Sequence, residues 1–385
     1  MNIAIFTNNY LPNPYGISMS IESFRKEFEK RGHTVYVFAP KFKGYVDENK
    51  NVFRYPSIDL TFKDIHFPIA IPLSFAMSKI LKNLEIDVIH SQHPNLLGWA
   101  AKHWAKKKNV RLVFTWHTLY NQYAHFAPII PERLAAWWTI RNAVGYANTC
   151  DQVVVPTPSV KKIIQNWGVT NENIVAIPTG VDEKEFANAD GKDVRKKYGI
   201  ASDDVLTFFI GRITAEKNME FLMRSIAIAL EKNDKLKFLV CGGGDQIENM
   251  KKIAKENGVS EKVIFTGLVP YEDRKNYFAA SDFFVYSSKS ETQGMIISEA
   301  MYMGLPVVAL NATGVKDMVK NHETGILVEE NIQEFVRAIK MLAENQTLSK
   351  EFSLEAKRVA KEQYTAVVSG HKMLEVYKKA IKRKK

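Results

Sequence analysis

Short runs of β-branched and other apolar residues alternate with amphipathic stretches along this chain, and the alternation runs through twice. The first series of strand-like runs is IAIF (3–6), VYVFA (35–39), VIHS (88–91), RLVFTWH (111–117), QVVVP (152–156) and IVAIP (174–178). Helical patterns lie between them, as in SIESFRKEFEKRG (20–32), where Ile21, Phe24 and Phe28 recur at helix spacing and Gly32 supplies a stop. Continuous apolar strands separated by helices predict parallel sheets covered on both faces. After the Gly- and charge-rich ANADGKDVRKKYGI (189–200) the rhythm restarts, with strands expected at VLTFFIG (205–211), KFLVCG (237–242), VIFTG (263–267), DFFVYSS (282–288) and PVVAL (306–310). The expected fold class is therefore α/β, with two doubly wound parallel-sheet domains over residues 1–185 and 186–360. Residues 361–385 are expected to form a C-terminal helix that can return to the first domain, ending in a basic tail. A length of 385 residues agrees, since single cores usually stop growing near roughly 250–300 residues.

The formal charge of +11 is uneven. Residues 1–180 hold 20 Lys/Arg against 12 Asp/Glu, leaving 33 against 30 for the remainder. Such an excess suits nucleic acid, anionic lipid or phosphorylated substrates. No aromatic residues interleave with the basic runs as a stacking surface for bases would, so no nucleic-acid partner is expected. Cys150 and Cys241 make neither a disulfide framework nor a metal-ligand spacing, which points to a reducing, cytoplasmic setting. MNIAIFTNNYLPNPYG has no basic n-region and only a short apolar run, unlike a secretory signal. The longest apolar candidate, FPIAIPLSFAMSKIL (67–81), is broken by Pro68, Pro72 and Lys79; it is too interrupted to span a membrane but able to lie on one.

In doubly wound sheets, ligands bind where strands end and the next helices begin, and two such domains imply a cleft. The chemistry-bearing residues fall at such places. In FFIGRITAEKNMEFLMRSI (208–226) a strand ends at Gly211, and Arg212 and Lys217 lie in the connection before a helix. Two cations beside a helix N-terminus make a diphosphate site without metal. VCGGGD (240–245) places three glycines, Gly243 at their centre, after a strand, which lets a ligand or another backbone approach closely. VIFTGLVPYED (263–273), with Val269, either shapes a pocket for a flat base or simply ends a strand. In SETQGMIISEAMYMGLPVVAL (290–310) a helix is expected to begin near Gln293 or Gly294. Glu291 then sits in the loop at its mouth, where it can accept hydrogen bonds from vicinal hydroxyls. The amides of Gly294, Met295 and Ile296 can meet phosphate or hydroxyl oxygens. Glu299 falls about two turns inside, among Ile296, Ile297, Ala300 and Met303; a dry setting there demands partners. No Asp-x-Asp triplet occurs, so no metal is expected.

RITAEK, the glycine cluster, FTGLV and the Glu-x7-Glu of ETQGMIISE followed by AMYMGLPVVA resemble the retaining family 4 glycosyltransferases of the GT-B fold, in which two Rossmann-like domains face a cleft. YLPNPYGISMSIESFRKEFEKRGHTVYVFAP, DVIHSQHP, FTWHT, VVVPTPSVK, IPTGVD and HETGILV extend the resemblance over essentially the whole chain. ETQG, where many relatives have EGFG, looks most like the bacterial 1,2-diacylglycerol 3-glucosyltransferases. The resemblance implies a UDP-sugar donor with no cofactor, Glu299 on the ribose hydroxyls, Glu291 on the donor sugar, and Arg212 with Lys217 on the diphosphate. Gly16 would let the first domain's backbone approach that diphosphate, although this chain has one glycine where many relatives have two. His117 would touch the donor sugar near the reacting carbon. Thr179 stands where relatives often carry Asn, which leaves that contact open. Asp182 lies near the expected hinge.

The implied activity is transfer of a hexose, glucose favoured, to a lipid hydroxyl such as that of diacylglycerol, with retention of anomeric configuration. A lipid acceptor implies peripheral contact with an anionic membrane surface at its inner face. Residues 67–82, Trp137 and Trp138 beside Arg133 and Arg141, the run KHWAKKKNVR (102–111) and the tail YKKAIKRKK (377–385) offer apolar and cationic material for it. A soluble glycan, a polyol, a protein or another lipid are the alternative acceptors. A sugar-nucleotide-binding protein without transferase activity is the alternative from another class.

Overall fold

A computed structural model of the protein describes residues 1–13, 16–62, 65–120 and 131–383, with the side chains of 60–67 and 132 outside the description. The chain divides into two compact units: residues 1–180 together with 366–385, and residues 181–365.

In the first unit the elements follow as β1 (Asn2–Phe6), α1 (Gly16–Lys30), β2 (Thr34–Pro40), β3 (Val52–Tyr55), β4 (Ser57–Phe62), β5 (Ile65–Ala70), α2 (Phe75–Asn83), β6 (Val88–Ser91), α3 (Leu97–Lys108), β7 (Arg111–Thr115), α4 (Glu132–Ala147), β8 (Gln152–Val155), α5 (Pro158–Asn166) and β9 (Ile174–Ala176). Seven strands form a parallel sheet in the order β3-β2-β1-β6-β7-β8-β9. Period-2 alternation sends β1 side chains to two cores. Ile3 and Ile5 enter one with Val35, Val37 and Phe28. Ala4 and Phe6 enter the other with Phe38, Ile89 and Phe114. Phe6 and Phe38 stack at 4.6 Å between ring centroids across neighbouring strands.

Strands β3 to β5 were not expected from the sequence. VFRY is short and carries Arg54, and the alternating SIDLTF pairs with β5 in a separate antiparallel hairpin instead of joining the parallel sheet. Residues 67–82 accordingly divide between the end of β5, a turn and α2. Pro68 sits in β5 and Pro72 follows it, and proline in a helix interior would break the backbone bonding. Helix α2 begins only at Phe75, capped by the Ser74 hydroxyl, which accepts from the Met77 amide at 3.3 Å, and it buries Met77 and Leu81.

The second unit runs α6 (Lys192–Lys197), β10 (Val205–Ile210), α7 (Met219–Glu231), β11 (Leu236–Cys241), α8 (Ile247–Glu256), β12 (Val263–Gly267), α9 (Arg274–Ala280), β13 (Phe283–Tyr286), α10 (Met295–Tyr302), β14 (Val307–Leu310), α11 (Val315–Met318), β15 (Gly325–Val328), α12 (Ile332–Glu344) and α13 (Gln346–Gln363). Its six strands are parallel, in the order β12-β11-β10-β13-β14-β15. β15, GILV within HETGILV, is a strand that its four-residue length and leading glycine conceal. The core is continuous from Phe208 and Phe238 to Phe283, Val308 and Phe335.

Helix α14 (Ala366–Lys382) rejoins the first unit and packs on α1. Met373, Leu374 and Tyr377 complete the core that contains Ile3 and Ile5. The Tyr377 ring meets Phe28 edge-on at 5.7 Å, and its hydroxyl lies 2.6 Å from His90 Nδ1. Gly370 allows this approach, since a Cβ there would lie 2.5 Å from Glu27 Cγ. Gly370→Leu is therefore expected to destabilise the first unit by about 1–3 kcal/mol through overpacking. Thermal unfolding measures this; an unchanged midpoint would show that α14 does not depend on the contact.

Candidate active site

Each large sheet reverses its strand order beside its first strand, between β1 and β6 and between β10 and β13. Backbone amides and loop side chains converge at the C-terminal ends of strands there. In the second unit those loops are Gly211–Asn218, after β10, and Ser287–Gly294, after β13, and they hold Arg212, Lys217, Glu291 and Gly294 of the residues that the sequence singles out.

The two loops are joined through Lys217 and Glu291. Lys217 Nζ donates to Glu291 Oε1, and both side chains are mostly buried. Tyr286, the last residue of β13, donates its hydroxyl to the same carboxylate oxygen at 2.6 Å. Burial opposes ionisation of Glu291, but the Lys217 charge and hydrogen bonds from Lys217, Tyr286 and Ser288 outweigh it, so its carboxyl titrates below the ordinary value. Glu291 is thus a carboxylate at neutral pH. The backbones are stitched as well: Ser287 Oγ donates to the carbonyl of Lys217 at 2.7 Å. Glu330, just after β15, accepts from Asn218 at 2.8 Å and from Lys289 at 2.9 Å. Arg212 stands apart, half exposed and paired with Glu216.

Helix α10 begins at Met295, after Gly294 in the left-handed region at φ +78°. The first-turn amides of Met295 and Ile296 have no partner within the helix itself. Glu299 is buried, and its Oε1 lies 3.2 Å from Arg274 Nη2. Arg274 is pinned in turn by Glu185 at 2.8 Å and lies 3.6 Å over the Tyr271 ring. Glu299 Oε2 is buried with no hydrogen-bond partner among the described residues. Desolvation raises the Glu299 carboxyl to about 7, with Arg274 pulling it down and Glu185 pushing it up. Val269 packs partly buried against the core of the second unit, and its neighbour Leu268 is exposed.

The three glycines of VCGGGD serve backbone approach. A Cβ on Gly242 would fall 1.9 Å from the Gly211 carbonyl oxygen, and one on Gly244 would fall 2.1 Å from that of Ile213. Gly243 is freer: its Cβ would meet Leu268 at an ordinary 3.5 Å, and its carbonyl accepts from the Ile213 amide at 2.9 Å. Gly16 opens α1, and no protein atom lies within 4 Å of where its Cβ would be, so packing alone does not require a glycine there. His117 follows β7, and its Nε2 lies 2.7 Å from Gln92 Oε1. Burial, with His93 and His90 nearby, lowers its titration to about 3. The ring is neutral at physiological pH and can hydrogen-bond but not supply a proton. Thr179 meets Ser20 through their hydroxyls at 2.7 Å, and Asp182 caps a short turn by accepting from the Lys184 amide at 3.1 Å.

Residues 14–185 match the family model described as Glycosyltransferase Family 4, and residues 190–359 match Glycosyl transferases group 1. Alpha-monoglucosyldiacylglycerol synthase of Streptococcus pneumoniae is 30% identical over 335 residues, covering 85% of this chain and 75% of that protein. The chain belongs to the family 4 glycosyltransferases. A GDP-mannose-dependent alpha-mannosyltransferase of Mycobacterium tuberculosis is 26% identical, over 85% of this chain and 84% of that protein. Sucrose-phosphate synthase of Thermosynechococcus elongatus superposes on this glycosyltransferase with a TM-score of 0.80 at 18% identity, covering 98% of each chain, and so shares the GT-B fold.

Three residues of the candidate site carry no local sequence signal. Tyr286 reads as an ordinary strand residue, and Arg274 lies 25 positions from its partner Glu299. Gly314, at φ +76°, is the third: a Cβ there would fall 2.6 Å from the Glu291 carbonyl oxygen and 2.8 Å from the Thr292 carbonyl carbon. Both contacts are backbone, so the Glu291 loop must move to admit a methyl. Gly314→Ala is expected to lower glycosyl transfer by roughly tenfold or more, because small misplacements at a reacting centre are costly. Steady-state kinetics checks this, and wild-type rates would remove Gly314 from the positioning of Glu291.

Proposed function

We propose that this glycosyltransferase moves a hexose, glucose favoured, from a UDP-sugar to a lipid hydroxyl, that of 1,2-diacylglycerol, with retention at the anomeric carbon. The observation that carries the donor half is the paired arrangement on the β13–α10 segment. One carboxylate, Glu291, is ionised and held by Lys217 and Tyr286, while a second, Glu299, keeps one oxygen unpartnered in a buried setting. An unpaired buried acceptor suits a ligand that brings its own hydroxyl donors. Glu299 is thus assigned to the ribose diol, and Val269 with Leu268 to the rim beside the base. Arg212, Lys217 and the amides of Gly294, Met295 and Ile296 take the diphosphate, with Gly16 and Gly243 leaving room for it. The acceptor half is supported by the kinship with the pneumococcal alpha-monoglucosyldiacylglycerol synthase.

In the proposed step the acceptor oxygen bonds to the anomeric carbon on the face from which the diphosphate leaves. The C–O bond to phosphate breaks, its electron pair goes to UDP, and the acceptor proton passes to a β-phosphate oxygen. The chain's task is then electrostatic and positional. Lys217 and Arg212 stabilise the departing charge in place of a metal. Glu291 orients the donor sugar through its hydroxyls, and neutral His117 hydrogen-bonds near the reacting carbon. A double displacement through Glu291 would require it to release Lys217 and Tyr286.

Incubation with UDP-glucose and diacylglycerol-containing anionic vesicles should release UDP and form a glycolipid, and neither lipid-free nor soluble-glycan controls should do so. UDP release with a soluble acceptor would move the reading to that acceptor. GDP-mannose is the second donor to try, because a mannosyltransferase using it covers most of this chain. Glu291→Ala should lower kcat by roughly a hundredfold or more, a larger loss than any in UDP affinity, since Glu291 reaches the nucleotide only through Lys217. Equal losses in both would contradict that assignment.

The pH dependence of UDP binding has a definite sign. Ribose hydroxyls donate to the ionised form of Glu299, whose carboxyl titrates at about 7. Binding is therefore near full strength above pH ~8, about half at pH ~7, and weaker by about tenfold at pH ~6 than at pH ~8, as the carboxylate takes up a proton. Calorimetry on wild type and Glu299→Gln checks this. A slope that survives in the Gln variant would assign it to another group.

A further inference from the structure

We propose that Glu185 is a positioning residue for the donor nucleotide: it draws the Arg274 guanidinium away from Glu299 and so leaves Glu299 Oε2 open to a ribose hydroxyl. The inference deepens the donor-site reading and rests on it for the identity of that hydroxyl. All the groups concerned lie in the second unit, on the turn Glu183–Phe186, the turn Tyr271–Asp273 and helices α9 and α10.

The turn that carries Glu185 is anchored on both helices. Phe186 is buried and meets Phe278 of α9 at 5.9 Å and Tyr302 of α10 at 6.1 Å between ring centroids, edge-on in each case. Lys275 Nζ donates to the Ala187 carbonyl at 2.7 Å, and the Tyr302 hydroxyl donates to Glu183 at 3.3 Å. Glu185 is thereby set beside Arg274, and one nitrogen of that guanidinium, Nη2, faces two carboxylates. It donates to Glu185 Oε2 at 2.8 Å and comes only within 3.2 Å of Glu299 Oε1. The Tyr271 hydroxyl donates to the same Glu185 oxygen at 2.8 Å, while its ring lies 3.6 Å from the guanidinium carbon.

A carboxylate with an arginine to itself commonly takes two parallel N–H bonds, one to each oxygen. Glu299 has one nitrogen beside one oxygen, and its buried Oε2 is without a partner among the described residues. A buried acceptor left unpaired is destabilising. It persists here because Glu185 and Tyr271 hold the donor that would otherwise fill it.

The charges that act on Glu299 are Arg274, which favours its ionised form, and Glu185, which opposes it. The other elements packed on α10 carry their charges elsewhere. α13 lays the Lys357 chain against Gly304, beyond the end of α10, and pairs Arg358 with Glu355 and Glu362. On α11, Lys316 is exposed and Asp317 half-buried, and β14 is apolar throughout. Removing the Glu185 charge therefore acts on Glu299 in one direction. Arg274 is released to cover both Glu299 oxygens, the carboxylate stays ionised to lower pH, and Oε2 is no longer open.

Two measurements on wild type, Glu185→Gln and Arg274→Met test this. The first is calorimetric binding of UDP, 2′-deoxy-UDP and 3′-deoxy-UDP. The second is the titration of the Glu299 carboxyl in the nucleotide-free chain by isotope-edited infrared spectroscopy, with Glu299→Gln identifying its band. At pH ~8 wild type is expected to prefer UDP to at least one deoxy analogue by roughly tenfold or more, as for a hydrogen bond to a charged acceptor; in Glu185→Gln the preference should fall to about threefold or less. The carboxyl midpoint should fall by roughly one pH unit or more in Glu185→Gln and rise in Arg274→Met. A fall of about one unit cuts the loss of UDP affinity between pH ~8 and pH ~6 from about tenfold to about twofold. Thermal midpoints identify the folded variants, and because the two predict opposite signs, either one that folds is decisive. A Glu185→Gln protein that keeps the wild-type preference, carboxyl midpoint and pH slope would overturn the proposal, whatever its UDP affinity. A lowered midpoint with no deoxy discrimination in wild type would uphold Glu185's hold on Arg274 and remove the ribose from Glu299, a failure of the donor-site reading alone.

Discussion

The site in the second domain depends on one buried ion pair. A carboxylate with little access to water is stable only beside a positive charge and hydrogen-bond donors, and Glu291 has Lys217, Tyr286 and Ser288. Because Lys217 belongs to the loop after β10 and Glu291 to the loop after β13, the pair fixes the two sides of the switch point against each other. The surrounding contacts repeat that link in the backbone: Ser287 with the Lys217 carbonyl, Glu330 with both loops, and Gly314 pressed against the Glu291 peptide. In the proposed reaction the leaving diphosphate meets parts that are already ordered, so less reorganisation remains.

Glu299 shows the opposite solution to the same problem. It lies as deep as Glu291 but shares Arg274 with Glu185, so one guanidinium serves two carboxylates and burial lifts the Glu299 carboxyl to about 7. The difference follows from position. Glu291 sits in a loop within reach of a strand-end tyrosine and a lysine. Glu299 faces inward from a helix whose other neighbours, Ile297 and Ala300, offer no donors. The oxygen left without a partner is the feature that a bound hydroxyl would complete.

The central strands could be read directly, because runs such as IAIF and VLTFFI are apolar on both faces and bounded by turn residues. The hairpin of β4 and β5 could not: its strands alternate, one contains proline, and neither joins a parallel sheet. The segments carrying Arg212, Lys217, Glu291 and Glu299 were legible because doubly wound sheets place chemistry at strand ends. What they touch was not, since Arg274 reaches Glu299 across 25 residues and no local spacing encodes that. The glycine cluster shows the limit in one motif. Close approach could be foreseen, but only the structure shows that the approaching groups are the Gly211 and Ile213 carbonyls. The basic runs show the same limit: their sequence does not reveal that Lys108, Arg111 and Arg383 are bonded to the Leu84 carbonyl, the Asp151 carboxylate and the Asp151 carbonyl.

The most direct test is a crystal structure of the full chain with UDP bound. The account predicts ribose hydroxyls within hydrogen-bond distance of Glu299 Oε2 and the diphosphate on Lys217 and Arg212, with Glu291 still beside Lys217 Nζ. Nucleotide bound elsewhere, or in this loop pair with its ribose turned away from Glu299, would contradict it.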